Sequence, residues 1–223
     1  MTQTWHDLLF AHWPLPHAVM RPLVPAQLTL DTFDGQCWAG VIPFHMSGIR
    51  GRGLPALPAL SRFPELNVRT YVAYAGKPGV YFFSLDAGSL PAVWAARSFY
   101  HLPYFHAAMS SKELGGNIQY GSRRLRGAAE FRGHYRPSGE MRRRERGSVE
   151  NWLTERYCLY TTYGGRVYRG EIHHPPWPLQ DAEAEFETNT VASAGGIALP
   201  TTAPLLHFAR RVEVLIWPLR RAE

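Results

Sequence analysis

Three polar side chains alternate along one short segment of the 223-residue chain. In FPELNVRTYV, which runs from Phe63 to Val72, an acid, an amide and a guanidinium stand at Glu65, Asn67 and Arg69. Successive side chains of a β-strand point to opposite faces, so these three would share one face. A carboxyl whose pKa is raised by burial can act as a general acid or base, and a guanidinium can bind a carboxylate through two hydrogen bonds. The spacing therefore indicates a polar row suited to a small anionic ligand.

Two interpretations of this row are open. The first is a sheet face in water on which Glu65 and Arg69 support each other, as is common in antiparallel sheets. The second is a strand lining a cavity, where buried charges must pair with one another or contact a ligand. The sequence on both sides of the row is apolar and aromatic. Because such flanks do not suit a wet face, we favour the cavity.

The segment before the row, Ser47–Pro64, holds three glycines, three prolines and three arginines without a clean period. Long irregular connections inside compact domains are uncommon, and ordered ones are often functional. We interpret this segment either as a loop over the mouth of a pocket or as a surface excursion.

A helix is predicted after the row, over Ser89–Leu102, with Ser89 as its N-cap and Pro91 in its first turn. Residues at helical spacing on one face are Leu90, Val93, Trp94 and Arg97. Such a stripe is expected to face the core, so Arg97 would also point inward.

The remaining sequence predicts a sheet-dominated α+β fold. Short helical pieces and prolines are expected over residues 1–30, a hairpin turn at Asp34–Gly35, and a second helix over Gly147–Thr162. About eight to ten strands follow, mostly in meander order, which favours an antiparallel β-barrel or curved sheet with a few peripheral helices. A barrel of this size can enclose one central cavity. No linker or repeat is evident, so we predict a single domain over residues 1–223.

Composition and motifs disfavour several function classes. The formal net charge is +6, but the densest basic cluster, residues 141–147, is short and includes glutamate, so no nucleic-acid partner is expected. Cys37 and Cys158 are isolated, and His173 and His174 would point to opposite faces of a strand, so no metal site is predicted. Nucleotide and dinucleotide motifs are missing, and no cofactor is predicted. Without an evident signal peptide or membrane span, we expect a cytoplasmic protein with no membrane partner.

Several ordered motifs together resemble the YqjF-like family of bacterial proteins, also called domain of unknown function 2071. They are LLFAHWP, LDTFDGQCWAGVIPFHMSGIRGRG, FPELNVRTYV, GVYFFSLDA, ARSFYHLPYFHAAM and HHPPWPL. That family is related to the acetoacetate decarboxylase-like superfamily. The resemblance covers nearly the whole chain and implies a cone-like antiparallel β-barrel or strongly curved sheet around a central cavity.

This sequence departs from the acetoacetate decarboxylases at the position that the resemblance implies for their catalytic lysine. Acetoacetate decarboxylases use a lysine that forms a Schiff base with a β-keto acid, placed after an arginine, a short spacer and a proline. In ARSFYHLPYF, Arg97 and Pro103 match this motif, but Tyr104 stands where the lysine would be. Tyrosine cannot form a Schiff base, and Lys77 and Lys112 are expected to be solvated. The superfamily's assisting acid matches FPEL, which makes Glu65 its counterpart.

The sequence thus predicts a cavity that binds or acts on a small organic acid without Schiff-base lysine chemistry. Glu65 is the candidate catalytic residue, Arg69 and Arg97 would bind the carboxylate, Asn67 would orient these groups, and Tyr104 would donate a hydrogen bond. One alternative is a non-catalytic metabolite-binding or regulatory module. Another is a structural protein with a buried ion-pair network of Glu65, Arg69 and Arg97. A homo-oligomer is also expected, since relatives of the decarboxylase type oligomerise.

Overall fold

β-Strands make up most of the computed structural model, which describes residues 1–51, 53, 55 and 61–223. Its strands are β1 (Thr2–Leu15), β2 (Thr29–Leu30), β3 (Cys37–Arg50), β4 (Phe63–Tyr74), β5 (Lys77–Ala87), β6 (Tyr104–Leu114), β7 (Asn117–Arg124), β8 (Glu130–Arg142), β9 (Cys158–Tyr163), β10 (Arg166–His173), β11 (Leu179–Asn189), β12 (Leu205–Ile216) and β13 (Arg220–Arg221). Its α-helices are α1 (His17–Met20), α2 (Leu90–Tyr100) and α3 (Val149–Thr154), and 3-10 turns occupy Arg21–Leu23 and Ser193–Gly195.

All the described strands belong to one large sheet in the order β13-β10-β9-β5-β6-β7-β8-β11-β12-β1-β3-β4-β2. Two further pairings, β4 with β5 and β10 with β12, join strands that are distant in this order. The sheet therefore curves back on itself, while β2 and β13 remain at its ends. The predicted mostly-β fold with few helices is confirmed, as a large curved sheet and not a closed barrel.

Tight turns with left-handed backbone set the register of the hairpins. The predicted turn is confirmed at Asp34 and Gly35, where φ is 48° and 75° between the bridged residues Phe33 and Gln36. Such paired positive φ values are what a two-residue hairpin loop requires. The turn between β4 and β5 lies at Ala75–Gly76, and β5 already begins at Lys77.

Two of the sequence-based element boundaries are wrong. The helix expected over Gly147–Thr162 ends at Thr154, and strand β9 follows from Cys158. The reason is local, because CLYTTY is rich in β-branched and aromatic residues that favour a strand. Of residues 1–30, expected to hold short helical pieces, His17–Met20 and Arg21–Leu23 do so, whereas the residues before them form the long strand β1.

The connection from β5 through α2 to β6 is a crossover. β6 pairs with β5 in parallel, with Leu85 opposite Tyr104, and β9 also pairs with β5 in parallel. A parallel pair needs a long connection, and here that connection contains α2. The sheet is therefore antiparallel except for these two pairings of β5, and the crossover places α2 beside the strand that carries the polar row.

Two buried clusters pack on the two faces of the central strands. On β4, Leu66 and Val68 belong to one cluster, while Phe63 belongs to the other. The loop predicted over Ser47–Pro64 is wrong at its ends, since residues 47–50 belong to β3 and residues 63–64 to β4, while positions 52, 54 and 56–60 lie outside the described residues. Within the described ranges, the helices are too short and insufficiently apolar to span a bilayer.

Candidate functional site

A cavity of about 600 Å³ lies against one face of β1, β3, β4 and β5 and against α2. Most of the side chains around it are aliphatic or aromatic. The polar side chains that line it are Gln3, Glu65, Asn67, Arg69, Tyr100, Tyr104, Thr154, Arg156 and His174. An apolar pocket with a few converging polar groups is the usual form of a small-molecule site.

The polar row of β4 faces this cavity. Glu65, Asn67 and Arg69 all line it, although their relative exposures are only 4%, 6% and 9%. Leu66 and Val68, between them in sequence, pack into the core on the other face. The predicted alternation is therefore present, and the row lies in the interior and not on a wet sheet face. Its role in binding stays a prediction.

Glu65 and Tyr104 meet at one end of the row. The Tyr104 hydroxyl donates to Glu65 Oε2 at 2.8 Å. Burial, the main cause, raises the pKa of the Glu65 carboxyl to about 8, with a smaller rise from Asp86 and an opposing effect of the Tyr104 hydrogen bond. At neutral pH the carboxyl is mainly protonated, and its pKa is close enough to neutrality for proton transfer in either direction.

Arg69 lies at the other end of the row, about 13 Å along the strand from Glu65. One of its amino groups, Nη2, donates to the Tyr71 hydroxyl and to the Leu153 carbonyl, both at 3.3 Å. Its Nε is buried without a hydrogen-bond partner. Within residues 1–51, 53, 55 and 61–223, no carboxylate forms an ion pair with it. Arg69 is therefore a buried cation whose charge is not matched by an acid.

A second buried guanidinium, Arg156, lines the same cavity and was missed by the sequence analysis. Its Nε donates to the Trp152 carbonyl at 2.7 Å, and Nη1 pairs with Asp31. Both guanidinium groups lie near the Tyr71 ring, at 5.6 Å for Arg69 and 4.9 Å for Arg156. The end of α3 thus supplies carbonyl acceptors to both arginines and holds them at one end of the cavity.

Behind Arg69 lies His12, a fully buried histidine of β1. Its Nε2 is 2.6 Å from the Tyr71 hydroxyl, whereas Nδ1 is buried without a partner among the described residues. Burial, followed by the charge of Arg69, lowers the pKa of His12 well below its ordinary value, so the ring is neutral. A Cβ at Gly40 would stand 3.0 Å from this ring and 3.4 Å from Arg69 Cγ. Glycine is therefore needed for this close packing.

Arg97 does not reach the cavity. Its side chain is exposed on α2, and its Nε donates to the backbone oxygen of Tyr104 at 2.7 Å. The prediction of an inward-facing stripe is wrong, since Leu90 and Trp94 are 57% and 66% exposed. The residues of α2 that line the cavity are Ala92, Ala95, Ala96, Phe99 and Tyr100. Small alanines give a weaker hydrophobic signal than leucine and tryptophan, which explains the choice of the wrong face.

The two neighbouring histidines, His173 and His174, point in different directions, as predicted. His173 is exposed, while His174 is buried and lines the cavity. His174 Nδ1 lies 2.9 Å from the Pro175 oxygen and Nε2 lies 3.3 Å from the Arg156 oxygen. Its ring stacks on Tyr157 at 4.7 Å. His174 therefore braces the backbone at Arg156, and burial lowers its pKa.

Neither lysine of the chain lines the cavity. Lys77 Nζ donates to both carboxylate oxygens of Glu171 at 2.8 Å, so it is paired and not simply solvated. Lys112 is exposed on β6. Tyr104 lines the cavity and contacts Glu65. A lysine amine for Schiff-base chemistry is therefore missing from this site.

Comparisons with known proteins identify the family and the fold. The model of the family described as an uncharacterized conserved protein, domain of unknown function 2071, matches residues 2–213. The uncharacterized protein YqjF of Bacillus subtilis (strain 168) is 53% identical over 222 residues, covering 99% of this chain and 92% of the relative.

Solved structures with the same fold are much more distant in sequence. The enduracididine biosynthesis enzyme MppR, complexed with pyruvate, aligns with a TM-score of 0.70 at 10% identity, covering 99% of this chain and 89% of that one. An acetoacetate decarboxylase-like enzyme from Sphingomonas wittichii RW1 aligns at 0.68 and 14% identity, covering 100% and 92%. The fold is thus acetoacetate decarboxylase-like, and the chain belongs to the YqjF-like family, domain of unknown function 2071.

Proposed function

We infer that the cavity binds a small organic acid and that Glu65 exchanges a proton with it, without a Schiff base. The observation that carries this proposal is the unmatched charge of Arg69. A buried cation is costly unless an anion or strong acceptors compensate it. Among the described residues, Arg69 makes two long hydrogen bonds to neutral groups and lies 5.6 Å from the centres of the Phe10 and Tyr71 rings, but it meets no carboxylate. A ligand carboxylate would supply the missing negative charge.

The neighbouring polar groups support the same orientation. Arg156 Nη2 is a buried donor without a hydrogen-bond partner among the described residues, and it can donate to the same carboxylate. Asn67 Oδ1 is also without a partner there, and as an acceptor it suits a donor group farther along the ligand. Arg156 already pairs with Asp31, so its charge is largely balanced and Arg69 is the main anion-binding group. A carboxylate at this end would direct the rest of the ligand along the row towards Glu65 and Tyr104.

The Glu65–Tyr104 pair supports proton transfer at the far end of the ligand. A neutral Glu65 can donate to a carbonyl oxygen, and its ionised fraction can remove a proton from the adjacent carbon. That proton then resides on the carboxyl group until it returns to the carbon or exchanges with solvent. This chemistry needs no amine, consistent with the exchange of lysine for Tyr104. The neighbour MppR has been seen with pyruvate, itself a small organic acid.

Arginine variants test the binding half of the proposal. Thermal-shift and calorimetric titrations with a panel of keto and hydroxy acids should show binding to the native protein and at least a tenfold loss for Arg69→Met. The matched control is Arg97→Met, which removes an exposed guanidinium outside the cavity and should leave affinity unchanged. Equal losses in both variants, or unchanged affinity in Arg69→Met, would contradict the assignment.

A non-catalytic binding module is the second candidate, and the missing lysine amine favours it. The two are separated by incubating a bound keto acid whose carbonyl is remote from its carboxylate, such as 7-oxooctanoate, in D2O and following the protons next to that carbonyl by NMR. Proton transfer by Glu65 predicts exchange with the native protein and loss of exchange in Glu65→Gln with binding retained. Binding without any exchange in the native protein would assign the module instead.

The third alternative, an ion-pair network of Glu65, Arg69 and Arg97, does not match the described contacts. Glu65 is bonded to Tyr104, Arg69 to Tyr71 and Leu153, and Arg97 to the Tyr104 backbone. The three side chains do not pair with one another, and Arg97 is exposed.

A further inference from the structure

We propose that the acid bound in this cavity is amphipathic, with a carboxylate attached to an apolar body much larger than that of a two- or three-carbon acid, since pockets of several hundred Å³ accept larger ligands. This inference rests on the proposed function and names its ligand class. It is drawn from the size of the cavity and from the way in which polar and apolar groups divide its wall.

The polar row is only one strand wide. Across the sheet, Asn67 lies between Ile42 on β3 and Leu85 on β5. Both neighbours are buried apolar residues that line the cavity. A ligand covered with polar groups would leave many of them against aliphatic side chains without hydrogen bonds, which is costly.

At the Glu65 end of the row, apolar residues again flank the polar side chain on the neighbouring strands. Glu65 lies between Phe44 on β3 and Ala87 on β5. Phe44 lines the cavity, and the aromatic residues Trp5 and Trp177 stand close to each other, with ring centroids 6.3 Å apart. These rings form a broad apolar surface to one side of the row, where a hydrocarbon chain or a phenyl ring would be removed from water.

Space for such a body is provided by α2. Its cavity face carries Ala92, Ala95 and Ala96, whose short side chains keep the helix from filling the interior. The resulting volume of about 600 Å³ greatly exceeds what a two- or three-carbon acid would occupy. Short acids would therefore leave most of the apolar wall without a contact, whereas a longer body would bury it.

The predicted dependence on chain length follows from hydrophobic transfer. Each methylene buried contributes about 0.8 kcal/mol, or roughly a fourfold gain in affinity. Acetate, butanoate, hexanoate and octanoate should therefore bind progressively more tightly, with 3-phenylpropanoate in the upper part of the series. Two of the seven tryptophans, Trp5 and Trp177, line the cavity, so a change in tryptophan fluorescence can report binding, and calorimetry gives the same constants independently.

Two controls separate the ligand class from the proposed function. Octan-1-ol tests the head group, because it has the same body without a carboxylate and should bind at least tenfold more weakly than octanoate. Ala96→Phe tests the body, because it fills the cavity beside α2 and should weaken octanoate at least tenfold more than butanoate. Ser98→Phe, with the same ring on an exposed position of α2, should change neither.

The outcomes of these titrations distinguish a failure of the amphipathic ligand class from a failure of the proposed function. Acetate or butanoate binding as tightly as octanoate overturns the amphipathic ligand while leaving the organic-acid function in place. Octan-1-ol binding as tightly as octanoate contradicts the function and retains only an apolar site. If no acid in the series binds, both the ligand class and the proposed function are overturned. We predict an affinity that rises with chain length, and we expect Ala96→Phe, but not Ser98→Phe, to abolish this rise.

Discussion

Two buried polar clusters lie on opposite faces of β4 and β5, and they differ in how their charges are balanced. On the face away from the cavity, Arg124 Nε donates to Asp86 Oδ1 at 2.7 Å and Ser122 donates to Oδ2 at 3.1 Å. The Arg124 guanidinium also lies 3.9 Å from the centre of the Phe105 ring. On the cavity face, Glu65 has a single side-chain donor.

The difference separates polar groups that hold the fold together from polar groups available to a ligand. Burial raises the pKa of Asp86, and Arg124 and Ser122 oppose that rise, so acid and base compensate each other. Among the described residues, Arg69 has no such acid and Glu65 has no such base. The charges of Asp86 and Arg124 balance within the protein, although Arg124 Nη2 is buried without a hydrogen-bond partner there, whereas we expect the unbalanced row to be stabilised when an anion enters.

The largest expected effect comes from breaking the balanced pair. Asp86→Leu leaves Arg124 buried without its carboxylate, and removing one partner of a buried pair costs about 3–5 kcal/mol. Urea unfolding followed by tryptophan fluorescence should show this loss in the free energy of unfolding. A loss below about 1 kcal/mol would mean that the pair is no more important for the fold than an exposed ion pair.

On the cavity face, Glu65→Gln should have the opposite sign and stabilise the protein. The folded carboxyl has a pKa of about 8 against an ordinary value of 4.5. The folded state favours the protonated carboxyl, so the contribution of this group to stability is fully present below pH 4.5. This stability is lost as the pH rises through the folded pKa, whereas glutamine, which cannot ionise, keeps it. At pH 7 the amide should therefore gain on the order of 3 kcal/mol.

The pH profile of unfolding gives the corresponding check. The stability of the native protein should fall between pH 5 and pH 8 by more than that of Glu65→Gln, because the amide does not titrate. Parallel profiles for the two proteins would show that Glu65 does not have a raised pKa in the folded state.

A smaller effect is expected at Gly40, which supports the arginine end of the row. Gly40→Ala would place a Cβ 3.0 Å from the His12 ring, and overpacking of this kind costs about 1–3 kcal/mol. His12 is bonded to Tyr71 and cannot easily move, so Arg69 should be displaced and octanoate affinity should fall. Gly88→Ala, whose nearest neighbour would be Pro64 Cδ at 3.4 Å, is the control and should change both quantities little.

The smallest effect is expected for Tyr104→Phe, which removes one hydrogen bond worth about 1 kcal/mol. Since the Tyr104 hydroxyl lowers the pKa of Glu65, its loss should raise that pKa further. Carbon-13 NMR of labelled glutamate carboxyls measures this directly, with Tyr100→Phe as a control on the same cavity wall. An unchanged or lower Glu65 pKa in Tyr104→Phe would show that the Tyr104 hydroxyl does not lower the pKa of Glu65.

Part of this arrangement was predictable from the sequence because it depends on strand alternation alone. A period of two places Glu65, Asn67 and Arg69 on one face wherever β4 forms a regular strand. The resemblance to decarboxylase-like proteins added Tyr104, which no periodicity would have placed beside Glu65. The glycine in the Asp34–Gly35 turn likewise carries its own backbone signal.

Other features depend on contacts between distant segments, for which local patterns carry no signal. Strand β1 was missed because its pairing with β3 shifts register between His6 and Ala11, which interrupts the alternation. Arg156 was missed because its place in the cavity depends on the early end of α3, where tertiary packing replaced the predicted longer helix. Arg97 was misplaced because the helical stripe was chosen by hydrophobicity, while the cavity wall is built from alanines.

The central claim is that the charge of Arg69 serves an anionic ligand and is not required by the fold. Urea unfolding of Arg69→Met, with and without octanoate, tests it most directly. We predict a free energy of unfolding within about 1 kcal/mol of the native protein in the absence of ligand, and no stabilisation by octanoate at concentrations that stabilise the native protein. A loss of several kcal/mol without ligand, with the stabilisation by octanoate retained, would contradict the account.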